Sequence, residues 1–210
     1  MSKMEKLAMF GATGMTGICA LKEALDLGFK VKLLLRDPSK LPSEYNDKVE
    51  IVKGDVTNLE DVKKTVSGVD GVVVVLGTRN NLEPTTDLSN GLKNIVHAMK
   101  ENNIDVISVC LSAFLFYDLD KVPPVFKDIN EEHGRMLDVL KSSNLNYIAV
   151  FPPHIADNPK SEYIVKNDAS PGGRVVSKYE LGNFLVTSLK MEQHYKKIVG
   201  ICSVSSMPKQ

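Results

Sequence analysis

The chain has 210 residues, 26 of them basic and 26 acidic, with 43% hydrophobic residues and no tryptophan. This is the composition of one ordinary globular domain, able to bury about 70% of its unfolded surface without disulfide or metal staples. Zero net charge without a basic run excludes an electrostatic nucleic-acid footprint, and the longest uniformly apolar stretch, residues 72–76, is far short of the ~20 residues a membrane span needs.

No hydrophobic secretory segment is expected at the N-terminus. The three scattered cysteines, Cys19, Cys110 and Cys202, fit free thiols in a reducing cytoplasm and no metal set. Short β-branched runs alternate with longer amphipathic stretches, the pattern of successive βαβ units. The first expected strand, residues 6–10, runs into Gly11-Ala12-Thr13-Gly14-Met15-Thr16-Gly17, ahead of a helix over 16–27 that Gly28 ends. In such a turn the first glycine permits the bend, the second lets backbone approach a pyrophosphate, and the third lets helix and sheet pack closely. The helix N-terminus then offers unpaired N–H groups to the phosphates.

The second strand, 30–36, ends in Arg36 where an NAD-binding domain commonly has an acid for the ribose 2′-hydroxyl. A guanidinium there can fork onto a 2′-phosphate, with Ser39 and Lys40 close enough to assist, which favours NADPH. Asp37, next in sequence, leaves NAD open. Strand 49–53 leads to Gly54-Asp55-Val56, and strand 71–76 to Gly77-Thr78-Arg79-Asn80. At these C-terminal strand ends Asp55 accepts from an adenine amino group or serves the helix expected at 59–66, Gly77 lets backbone pass a ribose, and Arg79 touches the pyrophosphate or pairs on the surface.

A helix over 86–101 precedes strand 106–111, which delivers Cys110 and Ser112 to the crevice. Tyr117 and Lys121 match the Tyr-x-x-x-Lys string of short-chain dehydrogenases, but Val122-Pro123-Pro124 follows at once and disfavours the helix that string requires. Tyr117 is therefore read as a loop aromatic beside the site. The helix over 125–143 carries His133, and strand 147–151 ends in Pro152-Pro153-His154-Ile155, which fixes an imidazole near substrate. Ser177-x-x-Glu180 is a capping box opening the last helix, and a strand near 198–204 closes the chain.

Taken together, Gly11-Ala12-Thr13-Gly14, Leu35-Arg36-Asp37, Gly54-Asp55-Val56, Leu76-Gly77-Thr78-Arg79-Asn80, Ser112-Ala113-Phe114-Leu115, Lys121-Val122-Pro123-Pro124 and Pro152-Pro153-His154-Ile155 resemble the biliverdin-IXβ reductase family, the NADPH-dependent flavin reductases, over residues 6–189. The resemblance implies a monomeric, cytoplasmic, atypical short-chain dehydrogenase with a doubly wound, mostly parallel α/β sheet of Rossmann type. It further implies one domain over 1–210, with substrate elements mainly from 112–177. NADPH would be held by Gly11, Thr13, Gly14, Met15, Thr16, Arg36, Ser39, Lys40, Asp55, Val56, Leu76, Gly77, Arg79, Cys110, His133, Pro153, His154 and Ile155. Ser112 and His154 would position the substrate beside Phe114, Tyr117 and Val125. The implied activity is hydride transfer to flavins (FMN, FAD, riboflavin) and to biliverdins other than IXα. The family pattern has Trp at Tyr117, Arg at Val125 and a second Cys at Ser188, departures that touch substrate preference and any two-cysteine relay. A non-catalytic NADP-responsive sensor that binds a partner protein stands as the alternative.

Overall fold

The computed structural model describes residues 4–78 and 81–207. In the first strand, β1 (Lys6–Phe10), Leu7 and Met9 join one apolar cluster while Ala8 and Phe10 join another. Since successive side chains point to opposite faces, a strand apolar at nearly every position needs both faces covered. The chain continues through α1 (Met15–Asp26), β2 (Lys30–Leu35), β3 (Val49–Lys53), α2 (Leu59–Val66), β4 (Gly71–Val74), α3 (Asp87–Glu101) and β5 (Val106–Cys110). It then forms α4 (Lys127–Ser143), β6 (Asn146–Phe151), β7 (His154–Ala156), β8 (Tyr163–Asn167), β9 (Val175–Ser177), α5 (Lys178–Thr187) and β10 (Lys197–Ser203).

Among the described residues one eight-stranded sheet runs in the order β3-β2-β1-β4-β5-β6-β10-β8, and β7 pairs with β9 apart from it. Neighbours in the large sheet are parallel except β8, which lies antiparallel to β10. Helices α1 and α5 cover one face through Ala20, Leu21, Leu181 and Phe184, and α2, α3 and α4 cover the other through Val62, Leu92, Ile95 and Met136. A Cβ at Gly182 would lie 2.7 Å from the Ala20 backbone nitrogen, so this glycine is what lets α1 and α5 touch. Strand order reverses between β1 and β4, and the crevice at their C-terminal ends is where such sheets bind ligands. No helix of the described residues is long and apolar enough to cross a membrane.

Three strands end earlier than the sequence suggests: β2 at Leu35, β4 at Val74 and β5 at Cys110. The chain peels outward there while its ladder persists one residue further, with Val75 N–H donating to Phe10 C=O and Leu111 N–H to Val150 C=O, both at 2.8 Å. Helix α4 begins at Lys127 because Pro123 and Pro124 first impose a 3-10 turn over Pro124–Phe126. The short β7 and β9 and the edge strand β8 were outside the expectation, since three-residue strands show too little periodicity to read.

Two buried charges tie elements together. Lys32 lies inside, with Nζ donating to the Lys64 and Ser67 carbonyls at 3.2 and 3.0 Å, and so caps the C-terminus of α2. Glu180, in the capping box at the start of α5, also accepts from Ser161 N–H (2.9 Å), Ser161 Oγ (2.7 Å) and Ser203 Oγ.

Candidate dinucleotide cleft

The three glycines after β1 divide their work as geometry requires. Gly11 has φ +85°, and a Cβ there would lie 2.2 Å from Val75 C=O. At Gly17 a Cβ would meet Gly11 C=O at 2.1 Å, so the helix sits against the turn. A Cβ at Gly14 would meet only Gly11 C=O, at 3.5 Å, because this residue faces a cleft of about 1410 Å³. Gly14 is the N-cap of α1 without a side-chain cap bond, so first-turn N–H groups remain for a ligand. Thr13, Met15 and Thr16 line the same wall, and Gly77 faces it with open space where a Cβ would stand. An uncapped helix start beside backbone open at two glycines fits a pyrophosphate.

At the far end of the cleft stand Arg36, Asp37, Asp55 and Val56. Arg36 has no hydrogen bond or ion pair among the described residues. Asp37 is engaged: Oδ1 accepts from Ser39 N–H at 3.1 Å and Ser39 Oγ at 2.6 Å, and Oδ2 lies 3.7 Å from Lys40 Nζ. The Ser39 hydroxyl hydrogen bond is the largest of several effects holding the Asp37 carboxyl below its ordinary value. Asp55 makes a tight turn, Oδ1 accepting from Thr57 N–H (2.9 Å) and Oγ1 (2.8 Å). Partial burial raises the Asp55 pKa, but these bonds and the charge of Arg36 outweigh it, and the carboxyl titrates low. The cap of α2 is Asn58, which leaves Asp55 free of that duty.

The other lobe is apolar. Leu76, Cys110, Leu111, Phe126, Ile129 and Ile155 line it together with His133. Burial pushes the Cys110 thiol up to about 12, so it stays protonated and acts as a small hydrophobe. Burial pushes His133 down to about 4 despite the neighbouring Glu132 charge, and its Nδ1 is buried without a partner. The imidazole is therefore neutral near pH 7. Beneath it, the fully buried Glu132 accepts from Ser89 N–H (2.6 Å), Ser89 Oγ (3.0 Å) and Arg135 Nε (2.7 Å), while Arg135 Nη2 donates to Thr85 C=O at 2.9 Å. This joins α4 to the segment preceding α3, two sides of one wall.

Several expected site residues stand outside the wall. Ser39 and Lys40 turn to Asp37, and Pro153 and the exposed His154 lie beside the wall residue Ile155. Ser112 adjoins Leu111; its Oγ accepts from Phe114 N–H at 3.2 Å, which leaves its own O–H to donate. Phe114 stacks on the wall residue Phe126 with centroids 5.3 Å apart and meets Tyr117 at 6.4 Å. Tyr117 and Val125 are exposed. Tyr117 is extended (φ −105°, ψ 151°) ahead of a 3-10 turn at Leu119–Lys121, so no helix face joins it to Lys121. Arg79 lies outside the described residues. The cleft also takes Asn90, Lys93 and Asn94 from α3, with Asn94 Nδ2 donating to Val56 C=O at 3.0 Å. Sequence reasoning missed these three, although their i, i+3, i+4 spacing marks one helix face.

Comparison with known proteins agrees with this geometry. An uncharacterised chloroplastic protein of Arabidopsis thaliana is 27% identical over 233 residues, covering 99% of this chain and 80% of its own length. The reductase pytE of Aspergillus terreus is 31% identical over 128 residues, 48% of each chain, so this chain spans about half of that relative. Among solved structures, a Rossmann-fold NAD(P)-binding protein from Shigella flexneri superposes with TM-score 0.80 at 22% identity, covering 99% and 98% of the two chains. A short-chain dehydrogenase/reductase from Veillonella parvula in complex with NADP gives 0.78 at 16% identity, covering 98% and 99%. A candidate NADH-flavin reductase from Streptococcus pneumoniae gives 0.75 at 22%, covering 95% and 99%. The pattern of one family, described as NAD(P)H-binding, matches residues 11–192, and the chain belongs to that family, on a Rossmann-type fold.

Proposed function

We propose that this protein is a cytoplasmic, monomeric NADPH-dependent oxidoreductase that reduces flat conjugated acceptors, flavins and non-IXα biliverdins such as biliverdin IXβ, to reduced flavin or bilirubin. The observation that carries the reading is the shape of one cleft: an unpaired guanidinium at one end and an apolar, aromatic-edged lobe at the other. NADPH, when bound, supplies the hydride. The glycine turn and the start of α1 hold its pyrophosphate, and Arg36 takes the 2′-phosphate in preference to a bare ribose. Asp55 keeps one carboxylate oxygen clear of the Thr57 turn to accept from the adenine amino group. Cys110, Leu111, Ile129 and Ile155 exclude water around the reacting ring, and Phe126 with Phe114 offers aromatic surface to a planar acceptor. Ser112 orients the acceptor through its O–H, and His154 positions it from the β7 edge. The proton comes from solvent, which a flavin nitrogen or pyrrole nitrogen exchanges directly, so no dedicated acid is required.

Mixing the protein with NADPH and a panel of FMN, FAD, riboflavin and biliverdin isomers, and following absorbance at the nicotinamide band, tests this. Steady oxidation with a conjugated acceptor is the expected result. Tight NADPH binding without oxidation by any acceptor would overturn it and point to a sensor, the role that an absent helical Tyr-Lys pair also fits.

A further inference from the structure

Asp37 carries a consequence for cofactor choice that Arg36 alone does not. Its carboxylate lines the cleft directly after the unpaired Arg36. It also holds the two neighbours that would otherwise assist a phosphate: Ser39 Oγ donates to Oδ1 at 2.6 Å, and Lys40 Nζ lies 3.7 Å from Oδ2. A seryl hydroxyl has one proton to donate, so Ser39 cannot give it to Asp37 and to a ligand at once. Neither Ser39 nor Lys40 lines the cleft wall, whereas Asp37 does. The same carboxylate therefore brings a like charge toward a 2′-phosphate and an acceptor toward an unphosphorylated ribose hydroxyl.

We propose that Asp37 is a specificity-determining residue that narrows the preference for NADPH over NADH. It accepts a hydrogen bond from the free ribose of NADH, repels the 2′-phosphate of NADPH, and withholds Ser39 and Lys40 from it. This rests on the dinucleotide reading given under the proposed function. Asparagine at this position keeps the volume and the side-chain oxygen that accepts from Ser39 N–H, since Asn and Asp cap equally well, and removes only the charge.

Binding is read directly, by fluorescence titration of the full chain with NADPH and with NADH. In Asp37→Asn, NADPH should tighten by about 3- to 10-fold, the scale of one exposed charge acting on a phosphate, while NADH loosens by about as much. The NADPH gain should shrink at high ionic strength. An affinity ratio unmoved in Asp37→Asn, or NADPH weakened as much as NADH, would overturn the proposal and leave Asp37 as a prop of its turn. Wild type binding neither dinucleotide would instead overturn the cleft reading beneath it, and a selective NADPH loss in Arg36→Ala separates that failure from failure at Asp37.

Discussion

The two ends of the cleft are built from different materials. Toward β1 and α1 the wall is backbone: Gly11 and Gly17 sit where a Cβ would come within 2.2 Å of a carbonyl oxygen, and Gly14 and Gly77 leave space open. Toward the acceptor lobe the edge is side chain carried on successive 3-10 turns, with Tyr117 53% and Val125 59% exposed. A pyrophosphate is the same in every dinucleotide and can be met by fixed backbone. An acceptor varies, and a rim of aromatic side chains on short turns can change by substitution without disturbing the sheet.

The largest expected effect breaks the rigid end. Gly17→Val places a Cβ against Gly11 C=O at 2.1 Å, with backbone on both sides of the contact, and neither can yield without moving α1 off the sheet. Thermal unfolding should show a loss above ~3 kcal/mol, the range of severe core overpacking. Gly77→Ala, where nothing lies within 4 Å, should unfold near wild type yet bind NADPH more weakly. Comparable melting of the two variants would erase the distinction between packing and ligand-facing glycines.

That asymmetry also governs what could be read from the sequence. The glycine spacing, Arg36 and the capping box at Ser177 and Glu180 are local signals, and local geometry decides them. The sheet order follows from the βαβ alternation. Asn90, Lys93 and Asn94 reach the cleft only because α3 crosses beside Val56, a tertiary fact no local pattern carries. The partnering of Ser39 and Lys40 with Asp37 was equally hidden, since the same residues suit a phosphate as well as a carboxylate. Glu132 reads as a surface helix residue until Ser89 and Arg135 are seen to satisfy it inside.

The acceptor lobe has its own signature in pH. His133 is held at about 4 when folded, against about 6.5 for an unperturbed histidine. Above pH ~6.5 it is neutral in both states and contributes no pH dependence; below that the unfolded chain takes a proton the folded chain refuses. Stability is therefore lost as pH falls from ~6.5 toward the folded value, by roughly 3 kcal/mol in all. Denaturant melts of wild type and His133→Gln across this window check it. The variant should lose less stability on acidification, and parallel curves would show that the imidazole is charged in the folded protein.

Next in size is the charge at the opposite end. Arg36→Ala should weaken NADPH by about 10- to 150-fold, the value of a charge-assisted hydrogen bond of roughly 1.5–3 kcal/mol, while NADH changes little. Equal losses for both cofactors would mean that Arg36 supports the turn and does not meet the 2′-phosphate.

The smallest effects are expected at the acceptor rim, and they decide whether any side chain there moves a proton. Tyr117 is exposed and off any helix, so Tyr117→Phe should change turnover only a few-fold, mostly in KM. A general acid would instead cost about 10²- to 10⁴-fold. Ser112→Ala and His154→Ala should each lower flavin turnover modestly and leave NADPH affinity nearly unchanged, because neither lines the cleft wall. The pH–rate profile with FMN is the sharper measurement, since positioning residues change its height and a proton donor changes its shape. If His154 only positions the acceptor, His154→Ala keeps every limb of that profile, with the same solvent isotope effect as wild type. Loss of a limb near the histidine reference of ~6.5 in that variant would make His154 the acid, and the rim would then be as constrained by chemistry as the glycine end is by packing.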